Sequence, residues 1–257
     1  MMKKVLVFLM MAVVACSMLL TGCGGGEKKA AEPAKVLRVG TEPAFAPFEF
    51  PKKDSNELTG FVVELIQAIG KQRGRKGEGA GMGVDALIPA LNAGNIDCAI
   101  AGMTITEERK KAVTFSDPYY TSGLIIMVKK DNDAVKSIAD LKGKRLAAQI
   151  GTTGEMKSRT VEGAKVTTFN TQDEAALELK NGGVDAVIGD LPVMEYYLAQ
   201  GGDKYCKTVG EKMEAEQYGI AVKKDSKLAG EINQAMAELK KNGEFDKIYK
   251  KWFGEKK

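Results

Sequence analysis

No histidine occurs among the 257 residues. That removes Ser-His-Asp and Cys-His nucleophilic catalysis and every histidine-ligated metal site. The thiols are the next groups able to do chemistry, and there are four. Cys16 lies inside an apolar N-terminal run and Cys23 directly after it, whereas Cys98 and Cys206 are far apart in the remaining chain. Cys98 falls in Ile96-Asp97-Cys98-Ala99-Ile100-Ala101, a short run with the look of a buried strand. Both late cysteines read as small buried apolar residues in different lobes, not as a disulfide. Positioned charges remain. Asp190 precedes Leu191-Pro192, where it can cap a helix, and Arg109 follows Thr106-Glu107-Glu108 in the first turn of another.

The N-terminus sets the compartment. Lys3 and Lys4 precede an apolar stretch from Val5 to Leu20, 16 residues long and short of the roughly 20 needed to span a bilayer. Leu20-Thr21-Gly22-Cys23 follows and looks like the bacterial lipobox, in which the cysteine carries a lipid thioether and begins the mature chain. Residues 1–22 are expected to be a lipoprotein signal peptide and 23–35 a flexible tether, since Gly24 to Pro33 holds little but Gly, Ala, Pro and charge. Removing 22 of 257 residues leaves 235, enough for two lobes, and takes away only the charges of Lys3 and Lys4. The balance is then 36 basic against 34 acidic residues, which gives nucleic-acid binding no support. The expected location is outside the cytoplasmic membrane, held to it by lipid on Cys23.

The elements that must position a site can be read from periodicity. Val36 to Gly40 is expected as a strand, Phe61 to Gln72 and Asp85 to Ala93 as helices, and Arg145 to Ile150 as a strand. Leu91 to Ile100 can be laid over Leu179 to Ile188. In each, a helix ends at a glycine cap and a polar turn leads into a buried strand. A repeated helix-strand unit implies two similar lobes with parallel strands and right-handed crossovers. Ligands bind at the carboxyl ends of such strands, where the overlay puts Gly102 in one lobe and Asp190 in the other.

Several motifs then resemble the polar amino-acid binding proteins of ABC transporters. They are Gly40 to Phe50 (GTEPAFAPFEF), Gly102 to Arg109 (GMTITEER), Phe115 to Tyr120 (FSDPYY), Gln217 to Ala221 (QYGIA) and Ile248 to Gly254 (IYKKWFG). The resemblance implies an α/β, two-lobed periplasmic-binding fold of type II, each lobe a mostly parallel sheet flanked by helices. It places lobe 1 at 36–126 and 220–257, lobe 2 at 127–219, and two crossovers near Met127-Val128-Lys129 and Gln217-Tyr218-Gly219. It further implies a binding protein, not an enzyme, which takes a free amino acid, glutamine or a basic one, and passes it to permease subunits. It is expected to be a monomer that needs no cofactor or metal. For site residues, it implies that Arg109 grips the ligand α-carboxylate, assisted by Thr104, Thr152 and Thr153, and that Asp190 meets the α-ammonium with a backbone acceptor from Ala101 or Gly102. Glu42, Phe45, Phe48, Val84, Met103 and Gln149 are expected around the ligand. A fold-related dehydratase using Glu42 as its acid is the rival reading.

The chain departs from that pattern in three places. Glycines at 77, 79 and 81 stand where a strand would carry apolar side chains, which predicts a loosened strand and weaker binding. Val84 replaces an aromatic expected against the ligand, and Val62 stands where an aspartate would cap a helix.

Overall fold

A computed structural model describes residues 35–255. The leader and Cys23 lie outside the described residues. In chain order the strands are β1 (Lys35–Thr41), β2 (Phe50–Pro51), β3 (Leu58–Thr59), β4 (Arg75–Gly81), β5 (Cys98–Ala99), β6 (Val113–Phe115) and β7 (Tyr120–Lys129). They continue with β8 (Arg145–Gln149), β9 (Lys165–Phe169), β10 (Ala186–Asp190), β11 (Cys206–Val209), β12 (Ala215–Tyr218) and β13 (Ala221–Lys223). The helices are α1 (Phe61–Gln72), α2 (Val84–Ala93), α3 (Glu107–Ala112), α4 (Thr153–Arg159), α5 (Gln172–Asn181), α6 (Leu191–Ala199), α7 (Leu228–Lys241) and α8 (Glu244–Phe253).

The strands form two lobes, each with its own sheet. The first has the order β4-β1-β5-β13-β6 and the second β11-β7-β10-β8-β9. Both are mixed rather than mostly parallel. β1 runs parallel to β4 and β5, but β13 is antiparallel to β5 and β6. In the second sheet β8 is parallel to β9 and β10, while β7 is antiparallel to β10 and β11. The antiparallel pairs are made by strands that enter from the other lobe, so no helical crossover sets their direction. Each sheet has an apolar cluster on either face. β7 shows why: Ile125 and Met127 join one cluster while Leu124, Ile126 and Val128 join the opposite one.

The first crossing lies earlier than Met127-Val128-Lys129. Those residues pair with β10 and β11 deep in the second sheet, whereas Tyr120 to Gly123 pair with β12 as the chain passes between lobes. An uninterrupted apolar run buried on both faces gives no sequence mark of where one lobe ends.

The internal repeat is more detailed than its glycines. Gly94 and Gly182 both end helices in the left-handed conformation, with φ of 77° and 84°. Beyond each, an aspartate is clamped by an arginine from the neighbouring parallel strand. Arg38 donates to Asp97 from its backbone N, Nε and Nη2 at 2.8, 3.2 and 2.6 Å. Arg145 repeats this on Asp185 at 2.9, 3.3 and 2.7 Å.

One expected weakness is met differently by the structure. Val62 does not leave the start of α1 uncapped: Phe61 N donates to Pro47 O at 3.1 Å and Val62 N to Phe48 O at 3.0 Å. Those carbonyls do the work of a cap, so Val62 is free to be a fully buried core residue. The glycine-rich segment forms β4 and pairs with β1 in parallel from Arg75 to Gly81. Backbone hydrogen bonds hold that strand, and the missing side chains leave about 300 Å³ of space bordered by Val39, Val62, Ile66, Gly77 and Gly79.

That space predicts a stabilising substitution. A Cβ at Gly77 meets Val39 Cγ2 at 3.8 Å and Ile66 at 3.9–4.0 Å, ordinary contact distances, whereas at Gly81 it meets Pro43 at 3.2 Å. Gly77→Val removes a glycine's backbone entropy and buries new methyl groups, a gain of about 1–2 kcal/mol. Thermal melting should rise by roughly 2–6 °C, and Gly81→Val should gain less.

Candidate functional site

Ten of the thirteen candidate residues line one small cavity of about 10 Å³ between the lobes. From lobe 1 these are Phe45, Val84, Ala101, Gly102, Met103, Thr104 and Arg109; from lobe 2, Thr152, Thr153 and Asp190. Glu42, Phe48 and Gln149 do not line it. Phe48 is completely buried within a ring cluster that includes Phe61, Tyr120, Tyr218 and Phe253, so it is core. It serves the site only by stacking on Phe45 at 5.7 Å. Gly102 is required beside Phe45: its φ is +56°, and a Cβ there would stand 2.3 Å from the ring.

Arg109 is the site's buried cation, about 6% exposed. Thr106 caps α3 by accepting from Arg109 N at 3.1 Å, which leaves the side chain to turn inward. Its guanidinium donates to Thr104 O at 2.7 Å and to Gly151 O at 2.8 Å, one carbonyl from each lobe. Burial lowers its pKa, and Asp190 and Glu216 oppose that fall. A guanidinium stays charged throughout. Two of its five N–H groups are thus spent, and the others are available to a carboxylate.

Thr152 and Thr153 have different fates. Thr152 caps α4, accepting from Glu155 N at 3.2 Å and donating to Gln149 O at 2.7 Å, so its hydroxyl serves its own loop. Thr153 donates to Glu216 Oε2 at 3.1 Å, and Thr104 donates to the same oxygen at 3.2 Å. Glu216 on β12 escaped the sequence reading, because nothing in Ala215-Glu216-Gln217-Tyr218 marks which residue turns toward the cleft.

Asp190 stands at the end of β10 and the start of α6 but makes no side-chain cap bond. It accepts instead from the hydroxyl of Tyr218, itself fully buried. Burial raises Asp190 to about 7, and the Tyr218 hydrogen bond and Arg109 offset only part of that rise. Gly102 N donates to Tyr119 Oη at 3.2 Å, fixing the strand end opposite.

A second acidic group of buried residues does not line the cavity. Glu42 accepts from Ala44 N at 3.0 Å through Oε1, while its buried Oε2 has no partner. Burial raises its pKa to about 7, eased somewhat by the neighbouring Gln149. The Gln149 amide donates to Asn170 O at 3.0 Å and leaves its own buried Oε1 without a donor. Glu49 was also missed. It is fully buried, neither carboxyl oxygen has a partner, and burial next to Glu42 pushes its pKa well up. No group of residues suited to hold a metal ion is present among the described residues, and no described helix is long and apolar enough to cross a membrane. Cys98 on β5 and Cys206 on β11 are free, buried and in different sheets.

Residues 37–255 match the family of bacterial extracellular solute-binding proteins, family 3. The arginine-binding extracellular protein ArtP of Bacillus subtilis is 37% identical over 261 residues, spanning 99% of this chain and all of ArtP. Among solved structures, an ancestral arginine-binding protein bound to arginine is 49% identical, with a TM-score of 0.83, covering 87% of this chain and 100% of that one. An ancestral arginine-binding protein bound to glutamine is 51% identical, with a TM-score of 0.82, covering 86% and 98%.

Proposed function

The chain belongs to the bacterial extracellular solute-binding proteins of family 3, and from that premise we propose that it captures a free cationic amino acid of the arginine type by closing its lobes and delivers it to an ABC importer. Arg109 with the Thr104 and Thr153 hydroxyls receives the α-carboxylate, and Asp190 receives the α-ammonium. The side chain runs past Phe45, Val84 and Met103 toward Glu42 and Gln149. The observation that carries this reading is the pair of buried, donorless acceptors, Glu42 Oε2 and Gln149 Oε1. A buried acceptor without a donor is costly, and a guanidinium supplies both the hydrogen bonds and the charge. The protein is anchored outside the cytoplasmic membrane by lipid on Cys23 and works as a monomer, with the transporter's membrane subunits as its partners.

Glutamine is the second reading, since its amide also brings two N–H donors to those acceptors, and the bound ligand of one similar structure supports it. Calorimetry against the full set of amino acids separates the two. Arginine is expected to bind most tightly. Glu42→Gln is expected to weaken arginine by about tenfold or more, the worth of one buried charge-assisted hydrogen bond, while glutamine changes by about threefold or less. Tightest binding of aspartate or glutamate, or binding of no amino acid, would overturn the proposal.

A further inference from the structure

The space beside β4 is large enough to be a site of its own. Positions 77 and 79 point to one side of the strand, and neither carries a side chain. A Cβ at Gly77 meets Val39 and Ile66 at 3.8–4.0 Å, and one at Gly79 meets only Leu58 Cδ1, at 4.0 Å. These are ordinary contact distances, so the neighbours have not collapsed into the gap, and it keeps a volume of about 300 Å³. Gly79 is exposed and β4 is the edge strand of its sheet, so the space opens to solvent.

Its lining selects what can occupy it. Val39 on β1, Val62 and Ile66 on α1 and Ile100 beyond β5 make the inner wall, each no more than 5% exposed. Thr41 also borders the space, but its hydroxyl proton is already given to Ile100 O at 2.8 Å. A held water needs about two to four polar partners, which this wall does not provide. Polar groups gather at the mouth instead: Asn56 and Glu57 precede β3 and Gln67 is on α1, all three exposed. Glu57 is matched there by Lys52 at 2.8 Å.

We propose that this space is a second ligand site, which takes a small neutral aromatic molecule of one or two fused rings, with its rings against Val39 and Ile66 and any polar group at the Gln67 rim. The size follows from the volume: a cavity of about 150 Å³ lined by apolar side chains suffices for benzene, and this one is about twice as large. Burying the rings removes apolar surface from water, and walls already in place keep the ordering cost low. A charged ligand is disfavoured, because a charge at the inner wall would have no partner. The site shares no lining residue with the cavity that holds Arg109 and Asp190.

Indole is the probe. Titration calorimetry is expected to show one saturable site with a dissociation constant of about 1 mM or tighter, and indole should raise the melting temperature. Gly77→Val puts two methyl groups into the gap and is expected to weaken indole by about tenfold or more. That variant is expected to be more stable than the unsubstituted protein, so its loss of binding is not a loss of fold. Should it fail to fold, Gly77→Ala carries the test, with an expected loss of about threefold. Saturating arginine is expected to leave indole affinity within about twofold. The absence of both heat and thermal shift up to the solubility limit of indole overturns the proposal, as does equal binding by the folded Gly77 variant. Loss of indole binding in the presence of arginine also overturns it, since the indole would then lie in the amino-acid cavity.

Discussion

Replacing Arg109 with alanine is expected to abolish amino-acid binding, with a loss of roughly a hundredfold to several thousandfold, corresponding to about 3–5 kcal/mol for removing one partner of a buried charge pair. Three effects act together. The ligand carboxylate loses its bidentate donor. The Thr104 and Gly151 carbonyls, now paired to Nη1 and Nη2 from opposite lobes, lose their donor and with it a tie across the cleft. Asp190 and Glu216 also lose the cation that offsets their burial. Arg109→Lys restores charge but cannot serve two carbonyls and a carboxylate at once, so it should recover only part of the affinity. Calorimetry with arginine measures this directly, and a loss under about tenfold for the alanine variant would remove Arg109 from the site. Because the same guanidinium bonds both lobes, the unliganded alanine variant should also melt at a lower temperature.

How much of this was legible in the sequence depended on whether a residue's role was local. The glycine caps at Gly94 and Gly182 were readable because the helix end, the turn and the strand lie within ten residues. Thr106 as a cap was readable for the same reason, since cap and amide are three residues apart. The matched clamps, Arg38 on Asp97 and Arg145 on Asp185, were half visible: the two aspartates coincide in the repeat, but their arginines lie 59 and 40 residues away. Phe45 and Phe48 share one motif yet part company, one lining the cavity and the other entering a core built from Phe61, Tyr218 and Phe253. Glu49 and Glu216 were invisible for a related reason. Which carboxylate turns inward from a loop or a crossing strand is settled by distant packing, not by pattern. The strand at 75–81 was expected from the order of the motifs in spite of its glycines, and it pairs along the whole of β1.

Acidity should weaken binding of a cationic amino acid while it stabilises the empty protein. Asp190 and Glu42 both sit near 7 because burial penalises their charged forms, yet each must be ionised to meet an ammonium or a guanidinium. Binding therefore releases protons, and lowering the pH works against it. Each group near 7 costs close to one decade of affinity between pH 8 and pH 6, so the two together predict a fall of about a hundredfold over that range. Glu42→Gln removes one of the two protons and should halve the logarithmic slope for arginine. Asp190→Asn removes the other. The stability of the unliganded protein runs the opposite way. Both folded pKa values stand above the unfolded values of about 4, so these groups contribute stability that is fully present below about pH 4 and lost as pH rises through 7. Glu49, pushed up by burial and by Glu42, acts in the same sense. The clamped surface aspartates, Asp97 and Asp185, have lowered pKa values and lose their contribution only at acidities below this window. Melting of the empty protein should accordingly rise from pH 8 to pH 5 while arginine affinity falls, two opposite slopes measurable on one sample series. An arginine affinity flat between pH 8 and pH 6 would mean that Asp190 and Glu42 do not meet the ligand as charges.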